Sequence, residues 1–115
     1  MTEMSTLLGE PRGIVCLPRE TGAHEGMVTF KVKGDCMTPG IRDGDVIAVD
    51  PSAPVQDGDV AVVKCKSGGG VKRVYRDGPN LRLEMDNPAY EPITLTPEDE
   101  PVIIGRVALV IHFYE

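Results

Sequence analysis

Two copies of one short pattern constrain this chain more than anything else in it. Asp43-Gly44-Asp45-Val46-Ile47-Ala48-Val49-Asp50 is echoed by Asp57-Gly58-Asp59-Val60-Ala61-Val62-Val63-Lys64. In each copy an Asp-Gly pair tolerates the positive φ of a tight turn. The β-branched run after it suits a pleated strand. The runs are nearly all apolar, which predicts strands buried on both faces. Pro51 to Pro54 separates the copies and cannot continue a ladder. Such a pattern commits the middle of the chain to β structure.

The flanking stretches extend that reading. Val28, Phe30 and Val32 alternate with Thr29, Lys31 and Lys33, the period of a half-buried strand. Lys66-Ser67-Gly68-Gly69-Gly70 reads as a flexible tip joining the second repeat to Val71-Lys72-Arg73-Val74-Tyr75 in a hairpin. Asp77-Gly78-Pro79-Asn80 is a further turn, and Leu81 to Met85 alternates again to complete a meander. Two prolines stiffen the loop from Asp86 to Pro92. Ile93-Thr94-Leu95 is a short strand, Thr96 to Pro101 an acidic loop, and Val102 to Tyr114 a β-rich end with a bulge or bend at Gly105. No window carries a sustained helical period. The expected fold is mainly β and compact, a β-sandwich or partly closed barrel of short strands with little helix. Residues 1–27 read as an N-terminal arm or linker with one short strand at Gly13-Ile14-Val15-Cys16-Leu17, and residues 28–115 as the domain proper.

Bulk properties narrow the function. The chain has 115 residues, enough for one core and too few for two. Its formal net charge of −6 argues against nucleic-acid binding by this segment alone, because phosphate neutralisation needs Lys and Arg in excess. No apolar run approaches the roughly 20 residues of a membrane helix, and Met1 to Glu10 lacks the pattern of a secretory signal. A cytoplasmic location is expected. The three cysteines, Cys16, Cys36 and Cys65, have no CxxC spacing and suit a reducing compartment rather than a disulfide framework or zinc site. The aspartates at positions 35, 43, 45, 57 and 59 read as turn chemistry rather than a calcium loop. No cofactor or metal is expected. His24 reads as loop surface, His112 as a satisfied edge histidine, and Cys16 and Cys65 as small buried hydrophobes.

One stretch stands out chemically. The strand ending at Lys33 breaks at Gly34-Asp35, presents Cys36 and Met37, and turns again at Pro39-Gly40 before the first repeat. Cys36 is either a nucleophile or a small core residue. As a nucleophile it needs activation, since an ordinary thiol with pKa about 8.5 is mostly protonated at neutral pH. A nearby lysine supplies this either as a neutral base or as a cation that stabilises the thiolate. Candidate lysines on strands are Lys31, Lys33, Lys64 and Lys72, and Lys72 is the odd one. Adjacent Lys72 and Arg73 on one strand point to opposite faces, so one of them points inward and needs a reason to do so.

Phe30-Lys31-Val32-Lys33-Gly34-Asp35-Cys36-Met37-Thr38-Pro39-Gly40-Ile41-Arg42-Asp43-Gly44-Asp45 resembles the GDSM-x-P-x-I-x-DGD nucleophile motif of the LexA/UmuD/phage-repressor self-cleaving family. Gly58 to Val63 resembles the strand that follows. Val71-Lys72-Arg73-Val74 resembles the segment that carries the general-base lysine. Asn87-Pro88-Ala89-Tyr90-Glu91-Pro92 resembles the N-x-x-Y/F-x-P segment, and Ile104-Gly105-Arg106-Val107 the closing strand. The resemblance runs from about Val28 to Val110. It implies a LexA C-terminal-domain-like β fold that dimerises. It also implies a dyad of nucleophile and lysine that cleaves the chain's own linker when an activated recombinase filament binds, with operator DNA bound by a separate helix-turn-helix domain.

On that resemblance Cys36 and Lys72 are the catalytic residues, and Gly34, Asp35 and Met37 form the oxyanion and substrate-strand region. The terminal run Val107 to Tyr114 is expected to build a homodimer interface through strand pairing. The chain departs from the family in three ways. The nucleophile position holds Cys36 instead of Ser, which allows a resting thiolate–ammonium pair with Lys72. No Ala-Gly or Cys-Gly cleavage site is present, Leu8-Gly9 and Arg12-Gly13 being the nearest substitutes. No helix-turn-helix precedes the domain. Two other readings stand beside the regulatory self-cleaving domain. One is an inactive dimerisation or partner-binding module of the same fold. The other is a soluble relative of signal peptidase, which shares the nucleophile and lysine motifs.

Overall fold

A computed structural model of the chain describes residues 26–113. The strand expected at Gly13 to Leu17, with Cys16 and His24, lies outside the described residues. The elements are β1 (Val28–Lys31), β2 (Val46–Asp50), β3 (Val60–Cys65), β4 (Gly68–Asp77), β5 (Asn80–Glu84), β6 (Ile93–Leu95), a 3-10 turn at Pro97–Asp99, and β7 (Val102–Ile111). The expectation of a mainly β fold holds. The strands form one seven-stranded sheet in the order β1-β2-β7-β3-β4-β5-β6, antiparallel throughout and not closed into a barrel.

The sequence repeat is a structural repeat down to its hydrogen bonds. Gly44 has φ 90° and Gly58 φ 92°, the positive values that the Asp-Gly turns require. In the first copy Asp45 Oδ2 accepts the Arg42 N–H, and in the second Asp59 Oδ2 accepts the Gln56 N–H, both at 2.9 Å. Each turn then docks on a valine of another segment. Val32 donates to the Asp45 carbonyl and accepts from Gly44 N–H, while Val74 donates to the Asp59 carbonyl and accepts from Gly58 N–H. Two residues on, Gly34 N–H meets Asp43 Oδ1 at 2.8 Å and Arg76 N–H meets Asp57 Oδ1 at 2.9 Å. The copies diverge beyond this point. After Arg76 the chain turns through Asp77-Gly78 into β5, whereas after Gly34 it opens into the Cys36 loop.

Two apolar clusters fill the interior. β3 sends Ala61, Val63 and Cys65 into one, where they meet Val74, Leu81, Leu83 and Leu95. Val62 enters the other with Val71, Ile47, Val49, Val32, Ile41, Cys36 and Met37. This alternation makes β3 buried on both faces, as its run of β-branched residues predicts. Each such valine contributes about 1.5–3 kcal/mol by leaving water.

Three details differ from the sequence expectation. β4 already begins at Gly68, and Cys65 pairs with Gly68, so the hairpin tip is Lys66-Ser67 rather than a five-residue loop. Gly69 belongs in the strand because its backbone passes the Val63 carbonyl so closely that a Cβ would sit 3.1 Å from it. Thr29, expected on the solvent side, is 3% exposed, while Phe30 beside it is only partly buried. Finally, β7 is an inner strand. Its first half, from Val102 to Arg106, pairs with β3, and its second half, from Arg106 to Ile111, pairs with β2. Register shifts occur opposite Ala48/Val49 and opposite Val62/Val63, the latter beside Gly105 as the bend there predicts.

Candidate functional site

The Cys36 loop has no ladder of its own. It is suspended between Val32, paired to the first Asp-Gly turn, and Ile41, whose N–H reaches the Met37 carbonyl at 3.0 Å. Within it, Thr38 N–H and Oγ1 both donate to the Asp35 carbonyl, at 3.2 and 3.0 Å. The loop folds inward, so that Cys36 and Met37 are each 1% exposed while Gly34 and Asp35 stay at the surface.

Lys72 lies in β4 opposite Ala61 of β3 and is fully buried. Arg73, the next residue, is only partly covered, which answers the question of which basic side chain points in. The β4–β5 ladder starts one residue later, with Arg73 paired to Glu84. Beyond Glu84 the chain leaves β4 and crosses to the Cys36 loop. The site therefore sits where β5 diverges from β4.

At that divergence Lys72 Nζ donates to Cys36 Sγ at 3.2 Å. The thiol also lies 3.9 Å from the Val71 carbonyl oxygen, within reach of a weak S–H···O contact. Burial pushes the Cys36 thiol above its ordinary pKa. Lys72 opposes this by its charge and its hydrogen bond, and nearby Asp35 adds to the rise. Desolvation wins. The net direction is upward, which opposes the resting thiolate–ammonium pair that a cysteine at this position allows.

The sequence motifs brought Gly34, Asp35, Cys36, Met37 and Lys72 into one proposed site, and the structure brings Cys36 and Lys72 into contact. Met37 packs in the same apolar cluster as Cys36. Asp35 faces outward, where its Oδ1 accepts the Tyr90 hydroxyl. That bond is the main cause holding the Tyr90 phenol above its ordinary pKa. Sequence reasoning gave two side chains no role at the site. Asn87 donates through its backbone N–H to the Cys36 carbonyl and through Nδ2 to the Asp35 carbonyl, each at 3.0 Å. Arg73 makes a bidentate pair with Asp86 at 2.9 and 2.8 Å and donates to the Gly58 carbonyl at 2.6 Å. The Asp86-Asn87 step was legible as a loop motif, but nothing in its pattern says which backbone groups it serves.

Among the described residues no group of three or more His, Cys, Asp or Glu side chains is placed to hold a metal ion. No helix there is long and apolar enough to cross a membrane. His112 is tied to the first Asp-Gly turn, its Nδ1 lying 2.7 Å from Oδ1 of the buried Asp45.

Cys36 and Lys72 are thus two buried polar groups bonded to each other on a β scaffold, and comparison with known proteins shows the family of that scaffold. Residues 5–108 match the Peptidase S24-like family. The chain is 35% identical over 100 residues to the LexA repressor of Acidothermus cellulolyticus, covering 86% of this chain and 35% of that protein. It is 37% identical over 88 residues to the LexA repressor of Geotalea uraniireducens, covering 75% of this chain and 44% of that protein. LexA repressor 2 of Pseudomonas putida is 40% identical over 77 residues, 66% of this chain and 38% of that protein. The chain thus spans less than half the length of these relatives. With fold, motif order and similarity in agreement over most of its length, the chain belongs to the Peptidase S24-like family.

Proposed function

We propose that this chain is the regulatory domain of a LexA-type or phage-type repressor, able to cleave a peptide bond of its own linker or of a related chain. Cys36 is the nucleophile and Lys72 the base. The observation that carries this reading is the 3.2 Å contact between two fully buried groups, Lys72 Nζ and Cys36 Sγ.

In the first step the Cys36 Sγ attacks the scissile carbonyl carbon while its proton passes to Lys72 Nζ. The C=O π electrons move to oxygen, and the backbone N–H of Cys36 stabilises that charge. Collapse of the adduct breaks the C–N bond. The leaving amine takes the proton from Lys72, and a thioester on Cys36 remains. Water, deprotonated by Lys72, then cleaves the C–S bond and restores the thiol. Gly34, exposed and at φ 97°, leaves space beside the loop for a substrate strand. The raised thiol pKa makes the resting site slow at neutral pH, which suits a domain that waits for a signal. An activated recombinase filament fits that role. Operator DNA would be bound by a separate domain, and we assign the working unit to residues 28–115 in the cytoplasm, where thiols stay reduced.

Homodimerisation is part of the same reading. In β7, residues 107–111 are laddered to β2 but not to β3, so one edge of that half has no strand partner among the described residues. Val110 and Phe113 are 42% and 56% exposed beside it. A second copy pairing there would cover both the edge and the apolar side chains.

Incubation of the full chain, and of the chain extended by its upstream linker, at alkaline pH tests the proposal through intact mass. The expected result is loss of an N-terminal fragment by wild type, with Cys36→Ala and Lys72→Ala intact. Wild type that stays whole while Cys36→Ser cuts would instead identify the natural chain as an inactive dimerisation module.

A further inference from the structure

We propose that Asn87 is a positioning residue that aims the oxyanion-binding N–H groups of the nucleophile loop. The inference rests on the acyl-transfer reading above and names the group that sets its geometry.

The Cys36 loop lacks a ladder, so its placement depends on a few bonds to fixed structure. The two Thr38 bonds to the Asp35 carbonyl lie inside the loop and move with it. Beyond the Gly34–Asp43 bond and the contacts of β4 with the Cys36 thiol, the contacts from outside come from the β5–β6 connection. Asn87 Nδ2 holds the Asp35 carbonyl, Asn87 N–H holds the Cys36 carbonyl, and the Tyr90 hydroxyl holds the Asp35 carboxylate. The first two are the important ones. In a trans peptide the C=O and N–H bonds point in opposite directions in one plane. The Asp35–Cys36 and Cys36–Met37 peptides are both trans. Fixing the Asp35 carbonyl therefore fixes the direction of the Cys36 N–H. Fixing the Cys36 carbonyl fixes the Met37 N–H in the same way. One side chain and its own backbone orient both candidate oxyanion donors.

Asn87 is itself anchored from the lysine side. Its neighbour Asp86 forms the bidentate pair with Arg73, the residue after Lys72. Arg73 is held in turn at the Gly58 carbonyl. Asn87 Oδ1 accepts the Ala89 N–H at 2.9 Å, closing a local turn that fixes the amide plane. The connection is a brace between the strand that carries the base and the loop that carries the nucleophile. Oxyanion stabilisation depends steeply on donor direction, and small misplacements cost large factors in rate.

The test separates aiming from folding by using two reagents on Cys36. An activated ester, p-nitrophenyl acetate, acylates the thiol through a tetrahedral oxyanion, whereas chloroacetamide alkylates it by displacement with no oxyanion. Both rates are read by intact mass and peptide mapping at the alkaline plateau of each pH profile, so that a changed thiol pKa does not enter. Two variants are compared with wild type. Asn87→Ala removes the side chain. Asn87→Asp keeps an acceptor for Ala89 N–H and the backbone donor but loses the Nδ2 donor, and so remains informative if Asn87→Ala fails to fold. The expected result is a fall of about tenfold or more in acylation with alkylation held within about twofold. Equal losses in both reactions, or no loss in either, overturn the proposal while leaving the dyad in place. If wild type shows no Lys72-dependent acylation of Cys36 at pH values below the thiol's titration, the acyl-transfer reading itself fails, and this proposal with it.

Discussion

Lys72 Nζ and Cys36 Sγ lie 3.2 Å apart although 36 positions separate them in sequence. The contact joins a strand to a loop across a gap that opens where β5 leaves β4. Each partner is buried at a cost: an amine without water on one side, and a thiol whose ionisation is suppressed on the other.

That cost predicts a trade between stability and function at Lys72. Lys72→Met keeps most of the side-chain volume and removes a buried amine whose partner is a weakly accepting sulfur. The expected change is a gain of about 1 kcal/mol, or roughly 4–8 °C in Tm for a domain of this size. Calorimetry reads it directly, and a Tm lowered by a similar amount would show that the lysine stabilises the fold.

The Cys36 thiol also predicts a pH dependence of stability. Its folded pKa lies above its ordinary value. As pH rises past that value, the unfolded chain loses the proton first while the folded chain keeps it. The folded state then binds more protons, so stability falls with pH, by at most about 1.4 kcal/mol per pH unit for one group. The contribution is intact below the unfolded pKa and gone above the folded one. Urea melts between neutral and strongly alkaline pH should show a steeper decline for wild type than for Cys36→Ser, whose hydroxyl does not titrate there. Parallel curves would place the titration elsewhere.

Gly105 predicts a packing cost rather than a backbone one. A Cβ there would meet Val49 Cγ1 at 2.7 Å and the Asp50 carbonyl oxygen at 2.8 Å. The oxygen belongs to the main chain of β2 and cannot rotate away. Gly105→Ala should force β7 from β2 and lower stability by about 1–3 kcal/mol, measured by denaturant unfolding. A neutral result would mean that the two strands separate freely at this point.

Much of this was legible beforehand, for identifiable reasons. The Asp-Gly repeats named their own turns, because positive φ at Gly44 and Gly58 and the acceptors at Asp45 and Asp59 are local requirements. The pleat required one inward basic side chain, since Lys72 and Arg73 cannot share a face, and the structure makes it Lys72. The Cys36–Lys72 pairing came from the order of motifs rather than from any local rule. The place of β7 was not legible. An apolar run gives no sign that its halves pair with different strands, and its two register shifts appear only once β2 and β3 compete for it. Nor was the service of Asn87 to the Asp35 and Cys36 carbonyls, which depends on a loop closing over distant backbone. The resting thiolate was a chemical expectation that burial opposes.

The most direct test of the dyad is the pH profile of Cys36 alkylation in wild type and Lys72→Met, resolved by peptide mapping with Cys65 as the internal control. Lys72 lowers the thiol pKa against the larger effect of burial. Its removal should therefore displace the profile to higher pH. Below the titration, alkylation should slow about tenfold for every pH unit by which the midpoint moves. In wild type the Cys36 profile should still titrate above an ordinary thiol. A Cys36 profile that is unchanged by Lys72→Met would show that the two groups do not exchange influence, and would contradict the dyad.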